Sequence, residues 1–553
     1  MIKSDKYHTT VLKESYWPDD TSSVLREWSV GEELRKAAAE VPDRIALVDG
    51  VPDPGKRRRW TYAQLLADAE RVASALLKKF KPGERVAVWS PNSAEWVLLE
   101  YGSAIAGVIL VTINPQYRER ELHYVLDLAK VSGLFVVDEY RGFNTLEASL
   151  QAQKDLPSLR EVICFSDFEA FINTGNELVP FPEVKPYDPY IVMWTSGTTG
   201  AQKGALLHHM GCLNSDFFVA ERCELGDGGC WVNPLPLFHI AACGLAVFGC
   251  LTNRAKLVIL PGLDVPLMLE LMGKEKCTMS LLVPTVLEAF LASPDLKKHD
   301  LSSLKNIMTD GSKPIMHLVR KLRELGITTT VVYGQTETHG VTTCMHTEDL
   351  KEYNGDKILH SGQPMPHCEM KIADPETGSV LPLHTQGEIQ VRGYQKMKEY
   401  YNLPEQTAQT IDSEGWLHTG DLGTMDEHGF VNVTGRLKDM LRRGGENIYP
   451  REIEIMLEEH PKVDRAIVIG VPDSYWGEEV GAIIIPKSLD DKPEYDELLE
   501  YCRERLTSFK KPVLWHTCAL EDIPMSTTGR IQKFKIIEQI KSGEIKMVRT
   551  KTK

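Results

Sequence analysis

The ten residues Thr195-Ser196-Gly197-Thr198-Thr199-Gly200-Ala201-Gln202-Lys203-Gly204 carry the strongest chemical signal in the chain. Three glycines let successive backbone N–H groups turn toward an anion, and four hydroxyls and a lysine add further donors. That is the make-up of a loop that grips phosphate. The G-x-x-x-x-G-K-[ST] spacing of a Walker A loop cannot be laid on it from Gly197 or from Gly200, so it is a loop of another kind. A flexible Ser/Gly linker would share the composition. It would have little reason to follow the apolar run Tyr190-Ile191-Val192-Met193-Trp194 and to end in Lys-Gly.

The loop resembles the phosphate-binding signature of the adenylate-forming superfamily, which includes acyl- and aryl-CoA synthetases, non-ribosomal adenylation domains and beetle luciferases. Segments similar to the family's other signatures follow in order. They are Pro236-Leu237-Phe238-His239, Tyr333-Gly334-Gln335-Thr336-Glu337, Gly387-Glu388-Ile389-Gln390-Val391-Arg392-Gly393 and Gly415-Trp416-Leu417-His418-Thr419-Gly420-Asp421. Gly435-Arg436-Leu437-Lys438-Asp439 and Gly529-Arg530-Ile531-Gln532-Lys533 complete the set, so the resemblance spans nearly the whole chain.

The resemblance implies an acid–CoA ligase that uses ATP, Mg²⁺ and coenzyme A on a small-molecule carboxylic acid. Forming an acyl adenylate presses an anionic carboxylate against an anionic α-phosphate, so charge must be neutralised and the reactants held in line. By resemblance Glu337 holds Mg²⁺ and Thr336 contacts the α-phosphate. Thr195, Ser196, Gly197, Thr198, Thr199, Gly200, Lys203, Gly311, Ser312, Gly334 and Gln335 complete the nucleotide site. Asp421 accepts from the ribose hydroxyls and Arg436 donates to the same sugar. The acyl pocket is expected at His239, Gly311, Gly340 and Val341, with His239 as a gate near the carboxylate. Gly444, Gly445 and Glu446 help form the passage for the CoA thiol. The implied fold is α/β. A large N-terminal domain of α/β subdomains with a small β-barrel (residues 1–436) precedes a mobile α+β domain (437–553), hinged at Lys438.

The sequence departs from that pattern at one chemically important place. The late loop in the family ends in Gly-Lys, and that lysine bridges carboxylate and α-phosphate; here the position is Arg530. Arginine keeps the charge but replaces a compact ammonium with a planar fork. The expectation is a slower adenylation step with thioester formation nearly intact. Lys533 could substitute only if the loop shifted register. Gln202 stands where a proline is common, and Gly311-Ser312-Lys313-Pro314 begins as in the medium-chain fatty acyl branch.

The elements that must position these residues are legible from periodicity. Arg85–Trp89, Leu134–Val137 and Tyr190–Trp194 read as short buried strands. Over Thr61–Lys79 the apolar residues Leu65, Ala69, Val72, Ala73 and Leu76 fall on one helical face, and Thr61 with Gln64 predicts a capping box. Strands alternating with helices point to a parallel α/β architecture. Around Gly429–Ile448 glycines and charges crowd together, the texture of a joint.

At 553 residues the chain exceeds what one core organises. A net charge of −15 opposes non-specific binding to nucleic acid or to anionic membranes. The longest apolar stretches, Gly102–Ile113 and Ile240–Leu251, are well short of the ~20 residues of a membrane helix and read as core. No secretory leader is visible, and eleven scattered cysteines without a CxxC pair imply free thiols in a reducing, cytoplasmic compartment. His208, His209 and Cys212 lack the second cluster that a metal site would need. Lys56-Arg57-Arg58-Arg59 reads as a charged turn, and Lys541–Lys553 as a basic solvated tail. A homodimer is compatible with all of this. The competing functions are a carrier-protein-loading adenylation enzyme, a luciferase-like oxidase and a weakened acyl or nucleotide binder.

Overall fold

The computed structural model describes residues 6–195, 202–310, 316–347, 360–444, 446–525 and 531–550. The chain divides into two compact units. The larger comprises Met1–Thr385, Gln390–Thr419 and Met425–Asn432; the smaller comprises Gln386–Ile389, Gly420–Thr424 and Val433–Lys553.

Among the described residues the larger unit contains two large sheets. In one, the strands run in the order Glu399–Tyr400, Lys203–His208, Pro189–Thr195, Ile109–Ile113, Arg85–Trp89, Gly133–Val136 and Glu161–Cys164. Its five strands from Pro189–Thr195 to Glu161–Cys164 are parallel, and the two at the other edge are antiparallel. Helices on both faces of a parallel sheet require strands apolar throughout, and Val86 to Trp89 are wholly buried. The other sheet has nine strands, with Asn306–Asp310 and Thr328–Gln335 parallel near one end and Gly340–Cys344 turning back antiparallel beside them. A third sheet runs in the order Tyr16–Trp17, Cys368–Ala373, Gly387–Gly393, Leu417–Met425 and Val431–Arg436, with no pair closing its ends among the described residues.

The sequence pattern translates directly in the helix Tyr62–Leu77. Leu65, Ala69, Val72, Ala73 and Leu76 are at most 2% exposed. The capping box forms as expected: Gln64 N–H donates to Thr61 Oγ1 at 3.2 Å, and Thr61 N–H donates to Gln64 Oε1 at 2.9 Å. This helix packs on Ala94–Ala106, whose every turn is buried. Both long apolar stretches are core, and no helix among the described residues is long and apolar enough to cross a membrane. The second stretch departs from a plain helix: Ala241–Ala246 is π-helical before Val247–Thr252 continues as an α-helix. The three arginines of the 56–59 run are each committed to an ion pair, Arg57 with Glu270, Arg58 with Asp49 and Glu95, and Arg59 with Glu275.

In the smaller unit the strand Val463–Asp473 pairs with Gly477–Pro486 and is buried on both faces. Ala466 and Val468 pack with Ile453, Leu457, Leu498 and Trp515, whereas Ile467 and Ile469 face Ile483, Ile485 and Ile536. The strand's period of two thus separates two small cores. The chain's end is not wholly a solvated tail. Val548–Arg549 adds a strand beside Leu514–Thr517, Trp515 Nε1 donates to Thr550 Oγ1 at 3.2 Å, and Arg549 reaches Asp473 and Glu479. An unpaired sheet edge and two carboxylates outweigh the solvation that composition alone suggested.

Gly102 lets the two helices approach: a Cβ built there would lie 2.3 Å from Val72 Cγ1. Gly102→Val is therefore expected to destabilise the larger unit by ~1–3 kcal/mol through overpacking. Val72→Ala in the same chain should restore only part of the loss, as read from urea unfolding midpoints, because Val72 Cβ would itself lie 2.7 Å from the new Cβ.

Candidate active site

The phosphate-loop candidate is framed by the antiparallel pair Pro189–Thr195 and Lys203–His208, whose last rungs include Thr195 opposite Lys203. Ser196, Gly197, Thr198, Thr199 and Gly200 lie outside the described residues. At the loop's far end Gln202 is held by two tyrosines: Tyr117 OH pairs with its side chain, and Tyr124 OH donates to its carbonyl at 2.9 Å. Lys203 then places Nζ 4.8 Å from the centre of the Tyr400 ring.

Tyr400 also meets the candidate metal ligand. Its hydroxyl donates to Glu337 Oε1 at 2.7 Å. Glu337 sits in the single-turn helix Thr336–Thr338, which caps the strand Thr328–Gln335 before the chain reverses into Gly340–Cys344. The reversal is tight. A Cβ at Gly334 would fall 1.7 Å from the Gly340 carbonyl, and Gly340 has φ +104°, so both positions require glycine. Gln335 Nε2 donates to the Thr419 carbonyl at 2.8 Å, which ties down the start of the turn.

Two further residues hold the turn, and neither carries a sequence signal of its own. His339, in the left-handed conformation with φ 53°, is fully buried. Its Nε2 accepts from the backbone N–H of His208 at 3.0 Å, so Nδ1 carries the proton and donates to the Gln395 carbonyl at 2.8 Å. Met397 N–H donates to the Glu337 carbonyl at 2.8 Å. The segment 395–401 then continues into the first sheet through Lys398 N–H to the Leu206 carbonyl and Tyr401 N–H to the Gly204 carbonyl. One short segment therefore joins the Lys203 strand to the Glu337 turn. The pair of tyrosines ahead of Asn402-Leu403-Pro404 was the available clue to Tyr400.

His239 is half-buried and its Nδ1 accepts from Ala241 N–H at 3.2 Å, at the entrance to the π-helical segment. It connects to the turn through its neighbour Ile240, whose Cγ1 lies 3.5 Å from where a Cβ of Gly340 would be. His208 caps the helix His209–Arg222, accepting from Gly211 N–H at 3.0 Å on Nδ1, so it has a structural task. Gly311 and Ser312 lie outside the described residues.

In the smaller unit Asp421 and Arg436 are brought together, with Arg436 Nε 2.9 Å from Asp421 Oδ1. The carboxylate is buried and the guanidinium is 41% exposed, which leaves the fork partly presented to solvent. Lys438 lies in the one-turn helix Leu437–Asp439. Gly444 adopts φ +60° and donates to the Trp476 carbonyl at 3.0 Å, while Glu446 is exposed at the start of the strand Glu446–Ile448. Gly445 and Arg530 lie outside the described residues. Lys533 is committed elsewhere: Nζ donates to the buried Glu454 at 2.7 Å and to the Val468 carbonyl at 3.0 Å.

Residues 34–401 match the family model described as AMP-binding enzyme, and residues 452–530 match the AMP-binding enzyme C-terminal domain. The protein YngI of Bacillus subtilis (strain 168) is 35% identical over 542 residues, covering 92% of this chain and 97% of that one. The medium-chain acyl-CoA ligase ACSF2, mitochondrial, of Macaca fascicularis is 33% identical over 562 residues, covering 95% and 89%. Among solved structures, ATP-bound MatB from Rhodopseudomonas palustris aligns with a TM-score of 0.82 at 26% identity, covering 93% of this chain and all of that one.

Burial pulls His339 down to about 4, and it pushes His208 and His209 down as well. The unfolded chain binds a proton near pH 6.5 that the native His339 refuses. Its contribution is therefore complete above about pH 6.5 and is lost as pH falls toward 4, an effect of ~3 kcal/mol. In His339→Gln the fall in urea midpoint between pH 7 and pH 4.5 should be shallower than in the native chain, with the remaining slope set by His208 and His209.

Proposed function

Because the chain belongs to the AMP-binding enzyme family, we propose that it is an ATP-dependent acid–CoA ligase acting on a medium-chain fatty or bulky cyclic acid. The observation that carries this reading is the convergence of Lys203 and Glu337 on the single ring of Tyr400. A cation suited to phosphate and a carboxylate suited to a phosphate-bound cation thereby meet at one rigid group, the first near the ring and the second at its hydroxyl. The name of ACSF2 supports a medium-chain acid, and the ATP-bound state of MatB supports ATP as the nucleotide.

In the first half-reaction a carboxylate oxygen attacks the α-phosphorus. The new O–P bond forms as the bond to the bridging oxygen breaks, and pyrophosphate leaves with that electron pair. Lys203 with the loop 195–200 neutralises phosphate charge, Thr336 donates to the α-phosphate, and Asp421 with Arg436 holds the ribose. Glu337 is the residue that would hold Mg²⁺. A single half-buried carboxylate, one oxygen already fixed by Tyr400, fits an ion whose other ligands are phosphate oxygens and water. The ion supplies charge neutralisation on those oxygens. In the second half-reaction the CoA sulfur, having lost its proton, attacks the acyl carbon and AMP departs. His239 stands at the acyl carboxylate and Gly444 to Glu446 line the thiol passage. Lys438 is the pivot of the smaller unit between the two steps. Ten buried cysteines and one half-buried, all free, support a reducing compartment.

The test is AMP release from a panel of carboxylic acids with ATP, Mg²⁺ and CoA. Release that requires both acid and CoA is expected; release with a carrier protein but not CoA would favour the carrier-loading reading, and none at all the binder. Glu337→Gln should slow acid-dependent pyrophosphate exchange by ~100-fold or more and raise the Mg²⁺ concentration required. Arg530→Lys should quicken the exchange ~10-fold, since one well-aimed donor is worth more than that when removed outright. An equal rate would show that arginine at this position costs nothing, and the hold of Glu454 on Lys533 favours Arg530 over Lys533 as the cation involved.

A further inference from the structure

Asp216, in the helix His209–Arg222, is fully buried, and neither of its carboxyl oxygens has a hydrogen-bond partner among the described residues. Leaving such a group unsatisfied is unfavourable, and burying it charged costs far more. Such a group in a native chain calls for an explanation, and a ligand that completes its hydrogen bonds is one. Glu100 is also fully buried, but one of its oxygens, Oε1, accepts from Tyr190 OH at 3.2 Å, whereas Asp216 has both oxygens without a partner among the described residues.

The direction in which Asp216 points is informative. Oδ1 lies 3.8 Å from where a Cβ of Gly340 would be, and Oδ2 lies 3.4 Å from where a Cβ of Gly244 would be. Both oxygens thus face backbones that carry no side chain. Gly340 begins the strand after the Glu337 turn, and Gly244 lies in the π-helical segment that follows His239. Ile240 fills the gap between them, with Cδ1 2.7 Å from the Gly244 Cβ position and Cγ1 3.5 Å from that of Gly340. π-Helical turns are rare, and they are frequent at functional sites.

We propose that Asp216 is the specificity-determining end of the acyl pocket, reached when Ile240 rotates aside, and that it selects acids carrying a hydroxyl group remote from the carboxylate. The inference rests on the acid–CoA ligase reading of the same site. A hydroxyl is preferred over an ammonium for a physical reason. With no cation against it among the described residues, buried Asp216 is held protonated, and a neutral carboxyl both donates and accepts, as a hydroxyl does. An ammonium would force two buried charges into existence.

The experiment measures kcat/KM for CoA-dependent AMP release with butanoate, octanoate and dodecanoate, each beside its ω-hydroxy and ω-amino analogue. The native chain should favour an ω-hydroxy acid over its plain counterpart by about tenfold or more at the length that reaches Asp216. Asp216→Leu should invert that preference and shift the melting temperature upward, because an unsatisfied polar group has been replaced by an apolar one of similar size. Asp216→Asn, which keeps the shape, carries the test if the leucine variant does not fold, and should retain part of the preference. Ile240→Ala should move the preferred hydroxy acid to a different length. Equal rates for plain and hydroxy acids, a preference that survives in Asp216→Leu, or a preference for the ω-amino acid would each overturn the proposal while leaving the ligase reading intact. No turnover of any acid would defeat the ligase reading and this inference with it.

Discussion

A turn that projects from the end of a strand has few hydrogen bonds of its own to resist rotation, and Thr336–Thr338 is only one turn long. Its orientation has to be imposed from outside. The segment 395–401 imposes it, accepting from His339 at Gln395, donating from Met397 to the Glu337 carbonyl and placing Tyr400 OH on Glu337. The same segment is hydrogen-bonded to Leu206 and Gly204 of the strand that begins at Lys203. A displacement of that strand is therefore transmitted to Glu337 through bonds of 2.7–2.9 Å. Catalysis by preorganised charge depends on such positioning, because a misplaced donor loses most of its differential hold on the transition state.

His339 makes this arrangement intolerant of small changes. It is wedged so closely that a Cβ on Gly211 would come within 2.3 Å of Nε2. Because Nε2 accepts a backbone N–H, the proton is confined to Nδ1, and a charged imidazolium would face an N–H donor at one nitrogen. Burial outweighs the Gln395 carbonyl, which by itself would favour the charged form. The imidazole serves as a neutral strut between the first turn of one helix and the loop at Gln395, and no proton chemistry need be assigned to it.

Local patterns revealed the local elements. The helix Tyr62–Leu77, its cap and the strand Arg85–Trp89 follow from spacing, while Leu134–Val137 and Tyr190–Trp194 differ by a residue from the observed Gly133–Val136 and Pro189–Thr195. Apolar runs mark burial, and burial ends at a slightly different place from hydrogen-bond pairing. What was not legible depends on contacts distant in sequence. Tyr400 and Glu337 are 63 positions apart, and the His339 bond to His208 spans 131. The arginines of the 56–59 run find carboxylates as far away as Glu275, and the chain's end finds an open sheet edge, neither of which periodicity can register. Motif order pointed to Glu337, Asp421 and Lys203 as candidates, but not to the residues that hold them.

Lys533 shows how packing can narrow a choice that sequence leaves open. Its ammonium meets a carboxylate only 7% exposed, and Glu454 also accepts from Val468 N–H at 3.0 Å. Withdrawing the lysine would leave Glu454 buried with Arg451 as its remaining ion-pair partner, and breaking a buried pair on one side typically costs ~3–5 kcal/mol. A register shift large enough to carry Lys533 into an adenylation site would have to recover that cost at every turnover. The opposite logic holds at Asp216, where no partner among the described residues would be lost when a ligand arrives. One buried carboxyl is satisfied within the fold and so fixes a loop. The other has both oxygens without a partner among the described residues, which is what would let a ligand hydroxyl complete it under the proposal above.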